Sequence, residues 1–281
     1  MEYKKLFDII QNLTGVYLTE EKKYLLDSRL NQLMKDYNLK SYDEVALKLI
    51  TKDDLEFYHK VVDRITTHET RFFRDESIFD AFVKQIIPEW MEKHGNTKTQ
   101  IKKPLKIWSA GCSYGQEPYS ISISLLEHHP YLFPYTEILA TDISKDVIER
   151  AKKGVFTDFE VQRGVPEFIK QKYFVAINEK EFKIKDEVKR NIQFQVHNLI
   201  QDPYPSGFDI IFFRNVLIYF DMEQRKIIID KMIQSLRNQE GTLILGSSEN
   251  LLNLADNYII REFGIARYYE FSKSVTFFKK F

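Results

Sequence analysis

The sequence predicts an α/β protein: a doubly wound, mostly parallel sheet preceded by an all-α domain. Three observations predict it. Short apolar runs alternate with helical patterns from Leu105 onward, the first run is followed by a turn holding Gly111 and Gly115, and the second ends in an acid, Asp142. Strand–helix alternation gives a parallel sheet with helices on both faces. Strand, glycine turn, helix, strand, acid is the order a nucleoside ligand needs. Glycines let the backbone approach the ligand closely, and an acid at a strand tip takes both ribose hydroxyls.

Residues 1–72 read as a helical domain. Thr19 is a cap for a helix carrying Glu20 and Glu21 in its first turn, matching the helix dipole. Leu26, Leu30, Leu33, Met34 and Tyr37 then recur at helical spacing. Ser41-Tyr42-Asp43-Glu44 is a capping box, and Thr51 to Asp54 opens a further helix ending near Ile65. This part has neither a glycine-rich loop nor an acid-tipped strand, so it is expected to recognise or pack. Lys22 and Arg29 stand a heptad apart on one edge, with Lys23 and Lys35 nearby. By pattern alone such a run is a solvated helix face.

Residues 73–281 read as the α/β domain, with strands at 105–110, 138–142, 192–196, 208–213 and 242–247. Ser144 caps a helix that runs to Lys153 and stops at Gly154, and Asp221 caps another that runs to about Leu236. Tyr258 to Lys273, and on to Phe281, is aromatic and β-branched and predicts a closing hairpin. The alternation breaks over about 155–191. There two short β runs, Tyr173–Ala176 and Phe182–Lys185, are joined by the polar loop Ile177–Glu181, a hairpin pattern.

The 281 residues suffice for one large domain or a large and a small one, and 43% hydrophobic residues supply a core. The 41 basic residues balance the 41 acidic ones, which excludes a nucleic-acid coat. A single cysteine, Cys112, excludes an internal disulfide and fits a reducing compartment. The first ten residues lack the apolar run of a signal peptide, and no apolar stretch is long enough to span a bilayer. A cytoplasmic protein without membrane insertion is expected.

The glycine spacing narrows the ligand. A dinucleotide site needs G-x-G-x-x-G to bring helix N–H groups to a pyrophosphate. Here G-x-x-x-G is followed by Gln116, Glu117 and Pro118. An acid at the mouth of the helix repels phosphate and suits a cationic amine. S-adenosylmethionine carries a ribose and an ammonium group, and no phosphate. His128-His129 end a helix, where a cation is favoured, and no residue pattern marks a metal site or a Ser-His-Asp or Cys-His constellation.

The motifs His68-Glu69-Thr70-Arg71-Phe72-Phe73-Arg74, GCSYGQEPYS, ATDIS, His197-Asn198-Leu199, FFRNVLIYF (212–220) and Gly246-Ser247-Ser248-Glu249-Asn250 follow one another in a fixed order. This series resembles the chemotaxis receptor methyltransferases, the CheR family, over nearly the whole chain. Two places depart from the family pattern: His68 stands where Asn is common, and Tyr114-Gly115-Gln116-Glu117 where Thr-Gly-Glu-Glu is common.

The resemblance implies a Rossmann-like class I methyltransferase sheet with an inserted small antiparallel β-subdomain. It implies methylation of chemoreceptor glutamates by S-adenosylmethionine, without a metal. By the same likeness, Asp142 holds the ribose, with Gly111 and Gly115 in the turn. Glu117 faces the methionine ammonium, and Arg74 its carboxylate, with Thr70 and His68 nearby. Asn198 and Leu199 flank the adenine. Arg214, Asn215 and Val216 end the fourth strand, where open α/β sheets place ligands. Tyr219 and Arg214 are the candidates for catalysis, Tyr219 orienting the incoming carboxylate. The Lys22–Arg29 edge meets an acidic receptor helix. Family members that need a receptor pentapeptide tether carry a longer, glycine-bearing loop than Ile177–Glu181, so no tether is expected.

A glutamate carboxylate, with pKa about 4.3, is already ionised at neutral pH, so this reaction needs no general base. Charge cancels as the methyl leaves a sulfonium, so alignment and partial desolvation should dominate. Each residue also has a plainer reading. Asp142 could cap the next helix, Glu117 could be a helix-dipole acid, Arg74 could pair with Asp75 or Glu76, and Tyr219 could pack under the sheet. Two other functions stay open: a same-fold enzyme acting on another protein or a small molecule, and a non-catalytic cofactor sensor.

Overall fold

The computed structural model describes residues 2–19, 21 and 23–272. The expectations for Glu20, Lys22 and 273–281 lie outside the described residues. Helices α1 (Glu2–Thr14), α2 (Lys23–Asp36), α3 (Tyr42–Thr51) and α4 (Leu55–Ile65) form the N-terminal domain. Phe57, Val61, Val62 and Ile65 recur every three or four residues and turn one face of α4 inward. Phe57, Val61 and Ile65 meet Leu26, Leu30 and Leu33 of α2, and Val45 and Leu49 of α3, in one core. The helix after Thr19 begins only at Lys23. Ser41 caps α3 by accepting the Glu44 N–H at 3.3 Å, but the box is not reciprocal, because the Glu44 carboxylate takes the Lys40 N–H at 2.9 Å.

The chain then forms α5 (Glu76–Ala81), a π-helical turn (Phe82–Ile86) and α6 (Ile87–Lys93). The wide turn ends just before Pro88, whose missing N–H interrupts the helical ladder. Next come β1 (Leu105–Ala110), α7 (Gln116–His128), β2 (Thr136–Asp142) and α8 (Lys145–Lys153). The inserted segment holds β3 (Val155–Thr157), α9 (Asp158–Gln162), α10 (Glu167–Tyr173), β4 (Phe174–Ala176), β5 (Glu181–Ile184) and α11 (Asp186–Lys189). The chain closes with β6 (Ile192–Val196), β7 (Ile210–Phe213), α12 (Met222–Ser235), β8 (Gly241–Leu245), β9 (Tyr258–Phe263) and β10 (Ala266–Phe271).

Among the described residues the main sheet has the order β6-β2-β1-β7-β8-β10-β9. Pairing is parallel from β6 to β8 and antiparallel from β8 through β10 to β9. The period-2 alternation of strands sorts the core. Ile107, Ile210, Phe212 and Ile244 pack with Phe79, Phe82 and Trp90 on one face. Trp108, Ile211, Phe213 and Leu245 pack with Ile228, Ile229 and Met232 of α12 on the other.

The insert carries one strand more than the sequence suggested. Val155–Thr157, outside the two β runs expected there, pairs antiparallel with β5, giving the order β3-β5-β4. Thr157 and Glu160 form a reciprocal capping box for α9 that the sequence reading passed over. The insert is fastened to the chain before the sheet. Phe72 packs edge-on against Phe156 and Phe174, and a side chain at Gly164 would meet the Phe72 carbonyl oxygen at 2.2 Å.

Candidate active site

Sequence-consecutive β1 and β2 are neighbours, and β7 flanks β1 on its other side, so the strand order reverses there. Open α/β sheets bind ligands at the carboxyl ends of the strands beside such a point. A cleft opens there, lined by the end of the first helix, the segment after α4 and the loops after β1, β2 and β7. Gly111 turns the chain out of β1 with φ +78°, and a Cβ there would stand 2.5 Å from Val216 Cγ2. Only glycine allows the loop after β1 and the loop after β7 to touch.

Asp142 ends β2 inside the cleft. Its Oδ2 accepts the Ser113 N–H at 2.9 Å and its Oδ1 the Ser144 N–H at 3.1 Å. The Ile143 N–H also acts on this carboxylate, and three donors still leave lone-pair capacity on its two oxygens. Burial pushes the Asp142 carboxyl above the usual aspartate range, opposed by His68 and by the N–H donors. Asp142 is not the helix cap, because Ser144 Oγ accepts from Val147 N.

Glu117, at the start of α7, is held through both oxygens: Oε1 accepts from Ser109 Oγ at 2.8 Å and Oε2 from Arg214 Nη1 at 3.0 Å. The Arg214 Nη2 also donates to Asp75 Oδ2 and to the Arg74 carbonyl, both at 2.7 Å. The side chain of Arg214 is 2% exposed, and a chain of charge centred on it, Asp75–Arg214–Glu117, joins α5, β7 and α7. A charge pair this deep holds only while each partner stays. Arg74 pairs with neither Asp75 nor Glu76; its guanidinium donates to the Glu69 carbonyl at 3.2 Å.

The segment after α4 forms another wall. His68 shares a 2.9 Å hydrogen bond with Thr66 Oγ1, and its carbonyl accepts from Ser113 Oγ at 2.9 Å. The His68 ring leans on Tyr114 at 5.7 Å, so two of the positions that depart from the family pattern touch. Thr70 and Arg74 follow along the same wall. Opposite, Asn215 takes a left-handed turn at φ +58° after β7, Val216 packs on the glycine turn, and Tyr219 is half-buried. The Tyr219 hydroxyl has no hydrogen-bond partner among the described residues.

The cleft thus brings together His68, Thr70, Arg74, Gly111, Glu117, Asp142, Leu199, Arg214, Asn215, Val216 and Tyr219. Two expected residues stand off it. Gly115 is the left-handed N-cap of α7 and faces Tyr119 and Ala151. Asn198 stitches domains together: Nδ2 donates to the Leu13 carbonyl at 2.7 Å, and Oδ1 accepts from Ile200 N at 2.9 Å.

The sequence reading missed the end of α1. Thr14 and Val16 line the cleft, and Gly15, at φ +77°, lies where a Cβ would stand 2.3 Å from the Phe220 ring. The available signal was Gly15 itself, a helix stop directly before an apolar residue. Arg29 is drawn inward from the edge assigned to it, donating to the Ile65 carbonyl and, at 3.2 Å, to Thr67 Oγ1. It therefore braces the cleft-wall segment. His129 is not a helix-end cation. It is buried against the Val83 carbonyl at 2.7 Å, and burial pushes its pKa down. Cys112 is buried, and desolvation pushes its thiol well up, so it is no nucleophile. Among the described residues no group of three or more His, Cys, Asp or Glu is arranged to hold a metal ion, and no helix is long and apolar enough to cross a membrane.

The cleft suits S-adenosylmethionine on its own chemistry. It offers a buried acid with lone-pair capacity to spare and a turn that admits no side chain. Comparison with known proteins agrees. The family model described as "CheR methyltransferase, SAM binding domain" matches residues 68–264, and the one described as "CheR methyltransferase, all-alpha domain" matches residues 1–66. The chain is similar to a chemotaxis protein methyltransferase of Vibrio parahaemolyticus, 36% identical over 261 residues and 92% of each chain. It is also similar to one of Borreliella burgdorferi, 34% identical over 89% of this chain and 88% of that one. A third, from Pseudomonas aeruginosa, is 35% identical over 89% and 90%. Both domains of one enzyme type are thus matched in their order along the chain, and the chain belongs to the CheR methyltransferase family, S-adenosylmethionine-dependent methyltransferases of chemotaxis.

Proposed function

We propose that the chain is a protein-glutamate O-methyltransferase that esterifies glutamate side chains of bacterial chemoreceptors. The observation that carries this reading is Tyr219. Its hydroxyl has no hydrogen-bond partner among the described residues, its backbone is clamped, and it stands on the wall of the cofactor cleft. A tyrosine so placed orients an incoming acceptor. Bound S-adenosylmethionine supplies an electrophilic methyl group on a sulfonium.

The residues of the chain have positioning roles. Asp142 receives the ribose hydroxyls on its spare lone pairs. Arg74, Thr70 and His68 serve the methionine end, and Asn215 supplies a free amide oxygen for the ammonium. Glu117 is committed to Arg214, so its part is to set the negative potential there and to hold Arg214. Arg214, placed among the catalytic candidates by the resemblance, supports the site from beneath. Leu199 and Val216 exclude water. Because a glutamate carboxylate arrives ionised, no residue has to remove a proton, and Tyr219 needs only to aim it.

Recognition of the receptor belongs to the N-terminal helices in this reading. Lys22, with Lys23 and Lys35 nearby, carries that edge in this reading, since Arg29 is engaged by Ile65 and Thr67. The β4–β5 connection is a tight hairpin: Ile177 N–H donates to the Glu181 carbonyl at 2.9 Å, and Asn178 Oδ1 accepts from Lys180 N at 2.8 Å. It is short and without glycine, which supports independence from a receptor tether.

The test is transfer of labelled methyl from S-adenosylmethionine to receptor-containing membranes, followed by alkali. Release of labelled methanol is expected, because carboxyl esters are base-labile. Label that survives alkali would instead indicate N-methylation or ether formation and a different acceptor.

A further inference from the structure

Glu249 is a half-buried acid, its carboxylate turned inward, with no part in the chemistry above. It follows β8 in the Gly246-Ser247-Ser248-Glu249-Asn250 motif and folds back under the loop after β7. Its Oε2 accepts the N–H of Asn215 at 2.7 Å and of Gly246 at 2.8 Å. The N–H groups of Leu217 and Ile218 lie near the same carboxylate and favour its charge, while Oε1 is buried without a hydrogen-bond partner among the described residues. Burial pushes the Glu249 carboxyl up, and these N–H groups oppose that. The left-handed turn at Asn215 is what aims N–H groups of this loop at one point, as in backbone nests that hold anions. Gly246 is matched to this: a Cβ there would stand 2.8 Å from Glu249 Oε2 and 2.6 Å from Asn215 Nδ2.

The loop held in this way carries Val216 against Gly111 and ends in a single 3-10 turn, Leu217–Tyr219. A buried carboxylate is costly unless hydrogen-bonded, and here it ties the N–H of Asn215, which opens the acceptor wall of the cleft, to the N–H of Gly246 after β8. We propose that Glu249 is a positioning residue for methyl transfer, its carboxylate serving as the template on which residues 215–219 are wound so that the Tyr219 hydroxyl is fixed. This rests on the role proposed for Tyr219.

The experiment uses the full chain in three variants: E249Q, Y219F and the double variant. Gln keeps the size of Glu249 but loses the charge and turns an NH2 group toward N–H donors. Amide hydrogen exchange is expected to speed up at 215–219 and to stay unchanged in β7 and β8. Turnover is expected to fall about 10- to 100-fold, as misplacement on the order of 1 Å does. The double variant should transfer methyl groups within about twofold of Y219F alone, because two residues acting through one group are not additive. E249D, which keeps the charge but is one methylene short, should behave like E249Q and substitutes for it if E249Q does not fold. Unchanged exchange at 215–219, or losses that multiply in the double variant, would overturn the proposal. The exchange arm needs no acceptor protein, so it decides the template role even if the receptor is not the substrate.

Discussion

Tyr17 donates its backbone N–H to the carbonyl oxygen of Tyr219 at 2.8 Å. The first residues after α1 are thus hydrogen-bonded to the candidate acceptor-orienting tyrosine, about two hundred positions further along the chain. With Asn198 gripping the Leu13 carbonyl and Ser144 Oγ donating to Asp63 at 2.6 Å, the N-terminal domain is fastened to the catalytic domain on two sides of the cleft.

Replacing Gly15 with Ala tests that fastening. The substitution forces a left-handed residue and a clash with Phe220, a combination worth roughly 1–3 kcal/mol of strain. A melting temperature lower by several degrees and weaker binding of S-adenosylhomocysteine are expected. Calorimetry and thermal scans read both, and an unchanged cofactor affinity would detach this loop from the site.

Asp142→Ala should weaken binding of S-adenosylmethionine and its demethylated product, while NAD should bind neither form. The pH dependence follows from the raised pKa of Asp142. The charged form accepts from ribose hydroxyls, so affinity should fall as pH drops through that pKa, starting at higher pH than an ordinary aspartate would dictate. Binding isotherms over a pH series check the direction. Loss of affinity on the alkaline side instead would implicate another group.

Tyr219→Phe should lower turnover and leave cofactor affinity nearly intact, because a group that orients only the acceptor acts on the transition state. If affinity falls and turnover does not, Tyr219 belongs to the cofactor pocket.

Lys22→Glu should raise the apparent KM for receptor at low salt, with the effect shrinking as salt is added, as expected of exposed charge. Arg29→Ala should behave differently: it frees the 65–67 segment, so its effect should be insensitive to salt and appear in cofactor binding as well. Identical salt-dependent behaviour of the two variants would return Arg29 to the receptor-facing edge.

A tail peptide ending in an aromatic-rich pentapeptide should not bind at micromolar concentration, since strand addition needs side-chain pockets beside an open edge. Titration calorimetry decides it. Binding abolished by substitutions in residues 177–181 would show that the hairpin docks a tether after all.

Local rules carried the reading of the sequence a long way. Ser144, Asp54 and Asp221 cap helices, Gly154 stops one, and β1 runs over the residues its apolar pattern marked, because these signals act within a few residues of themselves. The glycine turn and Asp142 were legible for the same reason: a strand–turn–helix that admits a ligand must be written in consecutive residues. What tertiary structure alone decided is which polar groups are already taken. Glu117 and Arg214, Asn198 and Leu13, Arg29 and Ile65, and Glu249 and Asn215 are joined across distant parts of the chain. In the sequence each looks like a free charge or amide. A buried polar group must find a partner wherever the fold brings one. No spacing rule announces that partner, so only packing could separate the groups left for a ligand from those spent on holding the site.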